Sequence, residues 1–168
     1  ACDFQGNSFV WIRKRIDISR SDLARAATWS VTARDPDAEQ HGIARLWHEP
    51  QHTLACLSVR SAWDLLLQAA SFPPGSEVLI SALTIPDMAR IVTHHRLVPV
   101  PLDLELETAL PSPEQIAARV TPKTKAVLIA HLFGATPPLG EPIGEATRHR
   151  LLFVEDCAQA FRGPRYAG

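Results

Sequence analysis

The apolar positions of this chain follow two periods, and their alternation defines the expected elements. EVLISAL (77–83), KAVLIAHLF (125–133) and LLFVE (151–155) are short, nearly continuous apolar runs of the kind seen in strands covered on both faces. TLACLSV (53–59) is read as a further strand, and LVPVPLDL (97–104) as an extended segment whose two prolines place it near a sheet edge or soon interrupt it. Between these runs, SAWDLLLQAA (61–70), PDMARIVTHH (86–95) and GEPIGEATRHR (140–150) read as helices, the second with proline near its first turn. Ser112-Pro113-Glu114-Gln115 has the capping-box pattern and opens a helix over QIAARV. Upstream, Ser19 or Ser21 caps a helix over DLARAATWSVTA, with Leu23, Ala26 and Ala27 near one face. The polar stretch 33–40, containing Pro36, is expected to be a loop, and a short helix is expected from about Gly42 to Trp47, ending before Pro50.

Strand and helix thus alternate about five times, which predicts an α/β fold: a three-layer, mostly parallel sheet with helices on both faces. In such sheets ligands gather outside the carboxyl ends of the strands. Ser58 to Ser61, Ala82 to Pro86, His131 to Gly134 and Glu155 to Gln159 fall at those ends and are expected to line one crevice. The segment LLFVEDCAQAF concentrates the chemistry, because Glu155 and Asp156 emerge where an apolar strand stops. Asp156 either meets a ligand there or caps a following helix, since aspartate is also a good N-cap.

Composition narrows the function classes. The chain is 46% hydrophobic and 21% charged over 168 residues, ordinary for one domain with a real core. A formal net charge of -1 lacks the basic footprint of a nucleic-acid binder, and the cluster Arg13, Lys14 and Arg15 beside Asp17 reads as a solvated turn. No membrane span is expected. Cys2, Cys56 and Cys157 form an odd set without CxxC spacing, which argues against a disulfide framework or structural zinc and fits a reducing cytoplasm. The first residues lack the apolar run of a signal peptide and do not begin with methionine. His94-His95 and the pair His48 and His52 lack convergent Cys or Asp, so no metal site is assigned.

EVLISALTIPDMARIVTHHRLVPVPLDLELETALPSPEQIAARVTPKTKAVLIAHLFG followed by LLFVEDCAQAF resembles the large domain of the DegT/DnrJ/EryC1/StrS aminotransferases, the fold type I, pyridoxal-phosphate (PLP) dependent sugar aminotransferases. The likeness runs from Ile16 to Gly168, leaving residues 1–15 as an N-terminal arm, and is strongest in TPKTKAVLIAHLFG and VEDCAQAF. It implies that Asp156 pairs with the pyridine nitrogen of PLP, while Gln159 lies near the 3-hydroxyl. A carboxylate there keeps the ring nitrogen protonated, so the ring can accept electrons when the substrate loses its alpha proton. Glu155 is left without a role, and Cys157 and Ala158 are expected to pack.

Three features depart from the family's pattern. Where relatives place a Gly-Thr pair at a helix N-terminus to hold the PLP phosphate, this chain has Val59 and Arg60 before Ser61. Arg60 offers a charge-assisted contact in place of the lost glycine geometry. Where the family stacks an aromatic ring on PLP, this chain has Ile85. Finally, the Schiff-base lysine the reaction needs is not among Lys14, Lys123 and Lys125. Lys14 precedes the fold and the other two lie at the entrance to a strand, so the chain is expected to be the first part of a longer enzyme. The resemblance implies a homodimer that moves an amino group from an amino-acid donor to a keto-sugar nucleotide. A non-catalytic relative acting as a binding or scaffolding protein is the rival reading, favoured by Val59, Arg60 and Ile85. A doubly wound receiver or phosphatase would need further carboxylates at neighbouring strand ends; the nearest, Asp87, falls inside the next predicted helix. His131 is read as a hydrogen-bonded structural histidine.

Overall fold

The computed structural model describes residues 18–32, 35–47 and 50–160. They belong to two compact units, one up to Gly42 and one from Ile43 onwards. In the first, α1 (Arg20–Val31) is capped by Ser19, whose hydroxyl accepts the Asp22 N–H while the Asp22 carboxylate accepts the Ser19 N–H at 2.9 Å. This reciprocal pair satisfies two donors that a helix start leaves open. It also holds the Asp22 carboxyl below its ordinary pKa, through the side-chain and then the backbone bond to Ser19. Helix α2 (Pro36–Ala44) then begins inside the stretch expected to be a loop and ends before the expected Gly42–Trp47 helix would. The reason is legible afterwards: Pro36 opens the helix, where its missing N–H costs nothing, and Asp37 and Glu39 complement the helix dipole.

The second unit holds one parallel sheet in the order β2-β1-β3-β4. Its strands are β1 (Glu77–Ser81), β2 (Val98–Leu102), β3 (Thr124–Ala130) and β4 (Leu152–Asp156). The expected strand over residues 53–59 is absent: after the short 3-10 turn Pro50–His52 the chain reaches α3 (Val59–Ala70) with Ser58 as its N-cap. Leu54 and Leu57 of that stretch are exposed, so its apolar residues have no sheet neighbour to pair with.

Each strand serves two cores. Val78, Ile80, Ala126 and Leu128 face α3 and α4 (Pro86–His94), where Trp63, Leu67, Met88 and Val92 bury against them. The alternate residues Leu79, Val127 and Ile129 meet Ile116 of α5 (Pro113–Arg119) and Ala146 of α6 (Gly140–Arg148). That two-sided burial explains why these strands read as continuous apolar runs. Strand β2 lies at an edge, as its prolines required. Val98 donates its N–H to Ser76 of the adjoining segment, so Pro99 and Pro101, offset by one, carry their missing N–H on the free edge. Ser112 and Gln115 form the expected capping box on α5.

From β1 the chain crosses over α4 to one side, and from β3 it crosses over α6 to the other. The order therefore reverses between β1 and β3, which puts the ligand crevice of such sheets at their carboxyl ends.

Candidate active site

At the carboxyl end of β4 the pleat separates the two acids. Leu128 pairs with Val154 and Ile129 with Glu155, so Asp156 continues the face of Val154 toward α3, while Glu155 continues that of Phe153 toward α5 and α6. A cavity of about 110 Å³ lies on the α3 side, walled by Val154, Leu128 and Asp156 and by Val59, Ala62 and Leu66 of α3. A half-buried carboxylate thus faces the first turns of a helix across an apolar gap. Asp156 Oδ1 accepts the Ala158 N–H at 2.9 Å, a local turn that fixes the side chain, and Oδ2 has no hydrogen-bond partner among the described residues.

The start of α3 supplies donors. Ser58 Oγ accepts the Ser61 N–H at 3.1 Å, which ties up Ser61, and the N–H groups of Val59 and Arg60 remain as the open donors of the first turn. The Arg60 guanidinium turns to α4 instead, 3.1 Å from Asp87, which also pairs with Arg90 at 3.1 Å. Ile85 stands at the N-cap of α4, half exposed, outside the cavity wall. Gln159 comes back across the strand ends: its Oε1 accepts the Phe133 N–H at 3.1 Å. Phe133 sits in the left-handed region at φ 57 with its side chain 81% exposed, followed by Gly134 at φ 80.

On the other face, His131 is buried at the end of β3 and its Nε2 bonds the Glu155 carboxylate. The Cys157 thiol lies near the same carboxylate, and burial first, then the charge of Glu155, push it up to about 12. The ligand atoms of His131, Glu155 and Cys157 lie within 4.8 Å of one another, a grouping a metal ion can span. His131 and Glu155 are, however, in direct contact, so an ion would have to displace that bond. Sequence inspection missed the trio because only the β3–β4 register joins it. Its one sequence signal is a histidine ending one strand and an acid ending the next. Of the pairs considered from sequence, His94 and His95 meet edge to face and His95 bonds Asp64 at 2.8 Å, while His48 lies outside the described residues.

Asp156 therefore comes together with α3, whereas Arg60, Ser61, Ile85 and Gln159 stand around the opening with local partners of their own. The crevice is bordered by the exits of β1, β3 and β4 and, in place of a fourth strand, by the loop that enters α3. Lys123 and Lys125 sit at the opposite, amino end of β3; Lys14 lies outside the described residues.

Similar proteins are longer chains. The L-glutamine:2-deoxy-scyllo-inosose aminotransferase of Streptomyces kanamyceticus is 29% identical over 88% of this chain and 36% of its own length. The GDP-perosamine synthase of Caulobacter vibrioides is 35% identical over 70% of this chain and 32% of its own. The solved structure of DesV from S. venezuelae superposes with a TM-score of 0.68 over 83% of this chain and 38% of that one, at 27% identity. The chain thus spans about a third of the length of the curated relatives it matches. Residues 34–168 match the family's sequence model, and on that ground, together with the strand order and the relatives, the chain belongs to the DegT/DnrJ/EryC1/StrS aminotransferase family.

Proposed function

We propose that this chain forms the cofactor-holding part of a PLP-dependent sugar aminotransferase, and the observation that carries the reading is the Asp156 carboxylate facing the start of α3 across an apolar gap. The residues present suit the group. An acceptor with an open lone pair suits the ring N–H, open helix-terminal amides suit a phosphate, and aliphatic walls suit the ring itself. The cavity is smaller than the roughly 300 Å³ at which small-molecule pockets begin, so its remaining walls come from protein outside the described residues.

PLP supplies the electron sink for moving an amino group. The chain's own residues bind and orient. Asp156 holds the proton on the ring nitrogen through a charge-assisted bond. Val59 and Arg60 offer their N–H groups, and α3 its positive end, to the phosphate. Gln159 has its oxygen occupied by Phe133, which leaves its NH₂ group as a donor for the ring's phenolic oxygen. Ser61 contributes through the cap, Ile85 stands at the N-cap of α4 outside the cavity wall, and Arg60, paired with Asp87, remains a charge near the start of α3. The proton-shuttling lysine is supplied by a longer polypeptide. The substrates are an amino-acid donor and a keto-sugar nucleotide, the working form is a cytoplasmic homodimer, and among the described residues no helix is long and apolar enough to cross a membrane.

A second reading is a relative that has lost cofactor binding and serves as a scaffold. It is favoured by the Ser58–Ser61 cap and the Arg60–Asp87 pair, which occupy groups a phosphate would otherwise use. Titrating the full-length gene product with PLP, followed by absorbance, separates the two. Saturable binding that weakens at least about tenfold in Asp156→Ala supports the enzyme, a loss of about 1.4 kcal/mol. An absence of saturation, or equal binding by Asp156→Ala, supports the scaffold.

A further inference from the structure

We infer that Glu155 is a positioning residue for Asp156, clamped by His131 on the face of β4 turned away from the cofactor; this rests on the proposed PLP site. Three observations converge on it. First, Glu155 and Asp156 are consecutive residues on opposite faces of the last strand, so any rotation of the peptide unit between them moves both carboxylates together. Second, the Asp156 side chain accepts, among the described residues, only from the Ala158 N–H two residues on, a local contact that ties the carboxylate to its own turn and not to the sheet. Third, the contacts that do reach across to β3 are those of His131. Its backbone N–H donates to the Asp156 carbonyl at 3.0 Å, and its side chain bonds Glu155.

The surroundings suit a fixed anchor. The His131 side chain is fully buried and that of Glu155 is 20% exposed, so the contact is little disturbed by water. The ligand atoms of Cys157, the residue after Asp156, and of Glu155 lie within 4.8 Å of one another on that same face. Ser81, at the end of β1, accepts the Ala130 N–H at 3.2 Å and extends the connection to the third strand of the crevice. Although Glu155 also borders the cavity, its carboxylate is drawn to His131 and is not available to a ring nitrogen. The pair adds a side-chain contact between the strands to the backbone bond that His131 makes with Asp156, and a half-ångström shift at Asp156 is enough to weaken a charge-assisted bond.

The test uses the full-length gene product and 4-deoxypyridoxine 5′-phosphate, a PLP analogue without the aldehyde, so that binding reports the ring and phosphate contacts independently of any lysine. Glu155→Ala should weaken binding of the analogue about tenfold or more and shift the absorbance band of the bound analogue toward that of the unprotonated ring. Glu155→Gln keeps an acceptor for His131 and should stay within about threefold of the parent, with the parental band. A merely structural role would lower the melting temperature of both without separating their spectra. Should Glu155→Ala fail to fold, His131→Asn, too short to bridge the strands, is expected to give the same loss and shift. Parental affinity and spectrum in whichever of these two folds overturns the inference, as does a loss in Glu155→Gln equal to that in Glu155→Ala. Failure of the parent to bind the analogue, or equal binding by Asp156→Ala, strikes instead at the proposed cofactor site.

Discussion

The two ends of the sheet are built from the same four strands and yet satisfy their side chains in opposite ways. At the amino end, Glu77 accepts hydroxyl bonds from Thr121 at 2.5 Å and Thr124 at 3.0 Å, and its own N–H donates to Lys123. Gly75, in the left-handed region at φ 82, donates to Arg96 at 2.8 Å and closes the loop into β1. Every one of these polar groups is answered within the chain. At the carboxyl end, Leu83, Ile85 and Phe133 are more exposed than buried or nearly so, Phe133 adopts a left-handed backbone that lacks glycine's freedom, and Asp156 keeps an open oxygen. Polar closure marks the end that stabilises; open acceptors and uncovered apolar side chains mark the end that meets a ligand or more protein.

The largest effect should come from cutting the material both ends share. Ile129→Ala, near the carboxyl end of β3 and fully buried, is expected to cost about 2–5 kcal/mol in urea denaturation, a loss of global stability that both ends share. Next, Glu77→Ala should cost about 1–3 kcal/mol, because two threonine hydroxyls lose their acceptor, while PLP affinity stays at the parental value. Loss of affinity in that variant would erase the distinction between the ends. Phe133→Gly should raise stability by about 1 kcal/mol in thermal melts, since glycine adopts φ 57 without strain and little buried area is lost. No gain would show that contacts of the phenyl ring offset the backbone.

The smallest effect concerns pH. The Cys157 thiol is raised from 9.0 to about 12 in the folded chain, so the unfolded chain gives up that proton first as pH increases. Its contribution is therefore present below about pH 9 and is lost as pH climbs toward 12. Cys157→Ala should flatten the alkaline arm of a stability–pH curve; an unchanged slope there would mean that burial and the Glu155 charge do not hold the thiol's proton.

Three kinds of residue were legible in different degrees. The apolar runs of β1, β3 and β4 were read to within a few residues because burial on both faces leaves little choice of side chain. The caps at Ser19 and Ser112 were equally plain, since they depend on residues three positions apart. Residues 53–59 misled because their β-branched and apolar residues suit a strand, but no neighbouring strand accepts them, and pairing is a property of two segments. Residues 36–44 misled for the opposite reason: Pro36 was read as a loop signal when it stands at a helix start.

Local order alone, the alternation of buried strand and amphipathic helix and the acid at the end of the last strand, determined that this is a layered α/β protein with Asp156 at the carboxyl edge of its sheet. What only the tertiary structure decided is which groups meet there. Arg60 turned to Asp87, Ser61 fell to its own cap, and His131 found Glu155 across the register of β3 and β4. The physical reason is range: strand and helix periods are set by neighbours a few residues apart, whereas a hydrogen bond spanning 24 positions exists only once the sheet has fixed which residues lie side by side.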